Sequence, residues 1–320
     1  MFNKYFLLFL SFLMTDVLAG NGEVGRNLTG YEPSYFVFAN DGIDSHAEFK
    51  VSIKYPLDKD VEWLSSRIDG DNKIYFAYTG QYDFFLFSEE GQGRDSAPVV
   101  SRIQNPGVFI KHKLINFDDE NNCEDSRVEF ENGLESISLG WFHESNGQQI
   151  DNNITFNNTV NASDYVSRGW DYLGVDFKWR EGSLLSEQGY TNIYARFRFF
   201  CNCQGFGAIK GREDDTTILG DPVSADIRDY DGFRLVVDDY VTPDVQYGLQ
   251  LRSGIGAEQA FDNWSYRVEL TFRTRSIPVL KHIPFIEDIP FTLFYFNGYG
   301  ENISTYHIKN DYIGFGIKIW

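Results

Sequence analysis

The sequence predicts an all-β protein, an antiparallel transmembrane β-barrel of about twelve strands. Three observations carry this: strand-length segments in which apolar and charged residues alternate, a heavy aromatic load, and an export-type N-terminus. Alternation is clearest where Phe49, Val51, Ile53 and Tyr55 interleave with Glu48, Lys50, Ser52 and Lys54. It recurs in Tyr266, Val268, Leu270 and Phe272 against Arg267, Glu269, Thr271 and Arg273. The segments Val245–Leu251 and Ile193–Phe199 repeat it. A β-sandwich would send the charged stripe into water, whereas a membrane barrel sends it into the lumen and the apolar stripe into lipid. Aromatic residues make up 17% of the chain, with 29 Phe and 19 Tyr, and aromatic girdles at the two membrane interfaces use such residues.

In order along the chain, Lys4, the apolar run Phe6 to Met14 and Val17-Leu18-Ala19 read as a secretory signal, residues 1–19. That run is shorter than the ~20 residues a membrane helix needs. Residues 20–320 then form one barrel domain. The expected strands lie near 33–39, 46–55, 73–87, 105–116, 133–144, 170–180, 191–202, 229–240, 244–253, 264–275, 289–299 and 310–320. The segment from Phe291 to Phe296 alternates poorly. The last strand sets Ile313, Phe315, Ile317 and Ile319 against Gly314, Gly316 and Lys318, and the chain ends on an aromatic, Trp320, out of phase with that stripe. With both ends on the periplasmic side, outer loops fall near 40–45, 88–104, 145–169, 203–228, 254–263 and 300–309. A barrel this narrow is filled by its own side chains, which argues against a wide pore.

The net charge of −19 excludes nucleic acid as a natural partner, because phosphate binding needs a basic face. Acidic runs such as Asp118 to Glu124 and Glu213 to Asp215 read as solvated loops or as divalent-cation sites near an anionic membrane. Three cysteines, Cys123, Cys201 and Cys203, leave at least one without an intrachain partner, and none has zinc-type spacing. The Asn-x-Ser/Thr triplets at Asn27, Asn153, Asn157, Asn161, Asn263 and Asn302 carry no meaning in a bacterial barrel.

Chemistry concentrates in Ile137-Ser-Leu-Gly-Trp-Phe-His143-Glu-Ser145-Asn146-Gly147. Ile137, Leu139 and Trp141 form an outward stripe, and His143 and Ser145 continue its parity to the outer rim. On the next strand Asp171 shares the stripe of Leu173, Val175 and Phe177. Residues i and i+2 lie about 6.6 Å apart along a strand, within reach of a leaning imidazole and hydroxyl. Hydroxyl, base and base-orienter are the parts of an activated nucleophile. Placed outside the lumen, they suit a substrate that is itself membrane lipid. The plainer alternative is a strand end in the interface belt. His46, His112, His282 and His307 lack a Ser-plus-acid pair in phase.

His143-Glu-Ser145-Asn146-Gly147, Ser167-Arg168-Gly169-Trp170-Asp171 and Asn297-Gly298-Tyr299-Gly300-Glu301 together resemble the outer membrane phospholipase A family, with thin similarity running from Tyr31-Glu-Pro-Ser-Tyr onward. The resemblance implies a twelve-stranded barrel in the bacterial outer membrane that hydrolyses phospholipid acyl esters with Ca²⁺ and is activated by homodimerisation. It implies Ser145 as nucleophile, His143 as general base, the Gly147 N–H at the oxyanion, and calcium held by the Gln148 carbonyl, the Ser167 hydroxyl and Ser96 of a partner subunit. The chain departs from the family in carrying Asp171 where Asn is usual, in a longer loop from Gln148 to Val166, and in Gly80 where the family's dimer-contact glutamine stands. The competing class is a non-enzymatic barrel, either a narrow channel or a structural or adhesive protein. A soluble β-sandwich hydrolase fits the aromatic load poorly.

Overall fold

In the computed structural model the described residues are 28–40, 45–57, 71–87, 101–114, 132–148, 157–158, 165–201, 226–256, 260–278 and 288–319. The expected signal segment, Ser96, Cys123, Cys203, His282, Trp320 and the two acidic runs lie outside them. A short strand β1 (Thr29–Gly30) precedes β2 (Ser34–Asn40), β3 (Ser45–Pro56), β4 (Asp71–Phe87), β5 (Ser101–Lys113), β6 (Gly133–Ser145) and β7 (Gly169–Gly182). They are followed by β8 (Tyr190–Phe200), β9 (Phe233–Thr242), β10 (Val245–Ser253), β11 (Trp264–Arg273), β12 (Pro290–Gly298) and β13 (Asn310–Ile319). Each strand from β2 to β13 pairs antiparallel with its sequence neighbours, and β13 pairs with β2, so the sheet closes into a twelve-stranded barrel. All twelve expected strands are present.

Two ends shift for a local reason. β9, expected from 229, begins at Phe233 because Ile227–Asp229 form a 3-10 turn in which the Arg228 N–H donates to the Asp226 carboxylate. The strand expected to reach 275 stops at Arg273, where Thr274–Ser276 form another such turn.

Burial follows parity. On β11, Trp264, Tyr266 and Val268 are exposed while Ser265, Arg267 and Glu269 are buried, so the charged stripe lines the lumen. Lone charges there would be costly, and they are paired: Arg267 Nε to Glu269 at 2.6 Å, Lys318 Nζ to Glu269 at 2.5 Å, Arg196 to Asp176 at 2.7 Å. The weak alternation of β12 has its cause in the same lumen. Phe294 and Phe296 point inward and cluster with Tyr35, Val37, Ala39 and Tyr312, under the Arg267 guanidinium 3.8 Å from the Phe294 ring. Gly314 makes room, since a Cβ there would sit 2.2 Å from the Phe294 ring.

Between β1 and β2 the chain turns inward. Tyr31 stacks on Phe109 at 5.2 Å, and Glu32 takes ion pairs from Lys50 at 2.7 Å and Arg196 at 2.8 Å. This segment helps fill the barrel. A luminal cavity of about 50 Å³, lined among others by Glu32, Lys50, Asn105, Glu144 and Arg234, has room for a few waters.

Candidate active site

The candidate site lies at one end of β6 and β7, where strand register joins residues far apart in sequence. His143 is directly opposite Asp171, and Ser145 is opposite Gly169. On its other side Ser145 is opposite Gln104 of β5. The outward parity expected for His143 and Ser145 holds: both are partly exposed, while Phe142 before them and Glu144 between them are buried.

His143 Nδ1 and Asp171 Oδ1 are 3.0 Å apart. The His143 side chain is 38% exposed and that of Asp171 2%, so the imidazole lies over the carboxylate and screens it. Among the described residues Asp171 Oδ2 is buried without a hydrogen-bond partner, and His143 is the group that compensates this carboxylate. With Nδ1 held by the acid, Nε2 is the nitrogen left for a hydroxyl. Gly169 keeps the space between the two strands open. A Cβ there would fall 3.3 Å from Ser145 Cβ and 3.7 Å from His143 Cε1, so a larger residue would crowd both.

Behind the site, on the luminal face, Glu144 fixes the strand. It accepts from Arg198 Nη2 at 2.6 Å and from Asn105 at 2.9 Å. Arg198 is itself held by Asp231 at 2.8 Å and by Tyr172 at 2.7 Å. Phe142 sits in a stack with Phe109 and Tyr172, admitted by Gly107, Gly140 and Gly174. These luminal partners carry no motif of their own: period-two alternation turns Glu144 inward, and the curl of the sheet from β6 to β9 brings Arg198 to it and Asp231 to Arg198.

Beyond Ser145 the chain is held by Asn146, which is buried. Its carboxamide donates to the Val166 carbonyl at 2.6 Å and the Ser304 hydroxyl at 2.8 Å, and its Oδ1 accepts from Arg168 N at 2.9 Å and from Gln148 N at 3.4 Å. This single side chain ties segment 146–148 to segment 166–168 and to the 300–309 loop. Gly147, exposed with φ +56°, takes a left-handed turn that glycine tolerates best. Gln148 and Ser167 therefore belong to adjoining, cross-linked segments, although the loop between them is long. The two offer a backbone carbonyl and a hydroxyl, hard oxygen donors of the kind calcium takes. Among the described residues no cluster of three His, Cys, Asp or Glu side chains could hold a metal. Of the other histidines, His112 bonds Asn72 at 2.9 Å, and His46 and His307 pack against Tyr312 and Tyr306.

No protein-family model matches the sequence, and no characterised protein matches it by sequence. Solved structures do match the fold. Outer membrane phospholipase A from Escherichia coli superposes with a TM-score of 0.60 at 14% identity, covering 92% of this chain and 94% of the other. The Salmonella typhi outer membrane phospholipase dimer with bound calcium gives 0.60 at 15% identity, covering 96% and 97%. At these identities what is shared is the twelve-stranded barrel over nearly its whole length.

Proposed function

We propose that this barrel is a calcium-dependent outer-membrane phospholipase that hydrolyses acyl esters of membrane phospholipids at Ser145. The observation that carries this is the 3.0 Å His143–Asp171 pair on the lipid-facing stripe that also bears Ser145. A buried carboxylate on a barrel's outer wall is unfavourable, and orienting a catalytic imidazole is a reason to keep it.

In this reading Asp171 holds the Nδ1–H of His143, and Nε2 removes the proton of Ser145 as its oxygen attacks the ester carbonyl. The imidazolium formed is stabilised by Asp171 and returns the proton to the departing glycerol oxygen. Water then repeats the sequence on the acyl-enzyme and releases the fatty acid. The Gly147 N–H would donate to the oxyanion of both tetrahedral intermediates, held at its turn by the Asn146 clamp. Calcium, held by the Gln148 carbonyl, the Ser167 hydroxyl and Ser96 of a second copy, would add positive charge at that oxyanion. A homodimer follows from that ligand set, and an outer-membrane location, reached through a cleaved signal peptide, from the barrel and its lipid substrate.

The test is fatty-acid release from phospholipid micelles by the refolded barrel, with calcium and with excess EDTA, beside a Ser145→Ala variant. Turnover that needs both Ser145 and calcium supports the proposal. Turnover unchanged in EDTA removes the metal, and turnover retained by Ser145→Ala removes the nucleophile.

A further inference from the structure

On the opposite side of Ser145 from the His143–Asp171 pair, the outer wall carries a second polar group. Tyr78, Tyr82 and Gln104 all have outward parity on β4 and β5, and all are partly exposed. They are bonded to one another: the Tyr78 hydroxyl donates to Gln104 Oε1, Gln104 Nε2 donates to the Tyr82 oxygen at 2.9 Å, and the two hydroxyls are 3.1 Å apart. Gly80, opposite Gln104, allows this convergence, because a Cβ there would lie 2.9 Å from the Tyr78 oxygen and 3.1 Å from the Tyr82 ring.

One donor of this group stays unused by the contacts within it. Two hydroxyls and one carboxamide offer four protons. Three contacts use three of them, which leaves the second N–H of Gln104. A surface facing lipid offers little water to satisfy it, and an unmet amide proton there is costly. The acceptor that a phospholipid brings to this depth is an ester carbonyl. A glycerophospholipid has two of these on adjacent carbons. Gln104 is directly opposite Ser145 on the neighbouring strand, about 4.8 Å away across the sheet.

We infer that Gln104, oriented by Tyr78 and Tyr82, binds the carbonyl of the second, uncleaved ester of the phospholipid whose first ester is attacked by Ser145. This rests on the esterase reading above and adds a specificity element to it. The site then recognises a diester, not merely an acyl chain. Gln104 binds substrate, and Tyr78 and Tyr82 are positioning residues that fix its carboxamide.

The experiment compares a diacyl phospholipid with an analogue in which the uncleaved ester is an ether, so both chains remain and only the carbonyl is lost. Both ether regioisomers are made, and the one retaining the cleaved ester is used. Wild type should prefer the diester in kcat/KM by about five- to tenfold, the range one neutral hydrogen bond supplies. Gln104→Met, which keeps side-chain length but has no amide, should bring that preference close to one by losing rate on the diester. Tyr78→Phe combined with Tyr82→Phe should lower it partway. Heat-modifiable gel migration establishes that each variant is folded. A preference undiminished in Gln104→Met, no preference in wild type, or an equal loss on both substrates overturns the subsite while leaving the esterase reading standing. No hydrolysis of either substrate by wild type overturns both.

Discussion

The two faces of β6 carry polar side chains at alternating positions and satisfy them in opposite ways. Inward, Glu144 is enclosed by Arg198 and Asn105, and Arg198 by Asp231 and Tyr172, so both Glu144 oxygens are met within the barrel, while Arg198 Nε and Asn105 Oδ1 have no partner among the described residues. Outward, His143 has Asp171 beside it and is still more than a third exposed, while Asp171 keeps a buried oxygen without a partner. A buried network of paired charges contributes rigidity. A polar group left open on a lipid-facing wall has little structural use, and its remaining valence is what a substrate can occupy. In the proposed function the difference separates residues that hold the barrel from residues that would act on what lies outside it.

That separation is broken most sharply at Ser145. Ser145→Ala should remove ester hydrolysis while changing unfolding free energy in detergent by less than about 0.5 kcal/mol, the usual range for a surface change. Substantial loss of stability would place Ser145 with the structural face instead. The next largest effect is expected at Asp171. With no group to orient the ring, Asp171→Ala should lower kcat on the order of a hundredfold or more. Asp171→Asn can present its carbonyl oxygen to Nδ1–H, and the loss should be nearer tenfold, far from the roughly 10⁴-fold of an acid-to-amide change in soluble triads. If alanine matches wild type in micellar turnover, Asp171 is a rim residue and no triad exists.

The inner face should answer in the reverse sense. Glu144→Leu removes one partner of a buried pair and leaves Arg198 with Asp231 and the Tyr172 hydroxyl, so stability should fall by about 3 kcal/mol. Turnover measured on the folded fraction should fall only a few-fold, through looser placement of His143 and Ser145. A loss of kcat as large as that of Asp171→Ala, without loss of stability, would show that inner and outer faces are not separable. The smallest effect belongs to Ser96→Ala, which should raise the calcium needed for half-maximal activity and leave saturated turnover unchanged. A hydroxyl binds calcium weakly, so other ligands can compensate at high concentration. An unchanged calcium titration would remove Ser96 from the ligand set.

Period-two alternation was enough to set twelve strands and their inner and outer faces, because a side chain on a strand can point in only two directions. It put His143, Ser145 and Asp171 on one stripe for the same reason. It was least informative at β12, where the lumen itself is apolar around Phe294 and Phe296 and the inside–outside contrast disappears. Turn chemistry moved the ends of β9 and β11, since Asp226 caps a turn whose geometry no apolar pattern announces.

What the sequence by itself determined is therefore the class of fold, the facing of each strand and the residue types available at the outer rim. Only the tertiary structure decided register and closure. Register set His143 against Asp171 at hydrogen-bond distance, Gly169 beneath Ser145 and Gln104 beside it. The curl of the sheet brought Arg198 to Glu144 and Asp231 to Arg198, and closure brought Ser304 to Asn146 across 158 residues of chain. The physical reason is that parity is a local property of one strand, whereas a hydrogen bond between strands depends on how far each has slid along its neighbour.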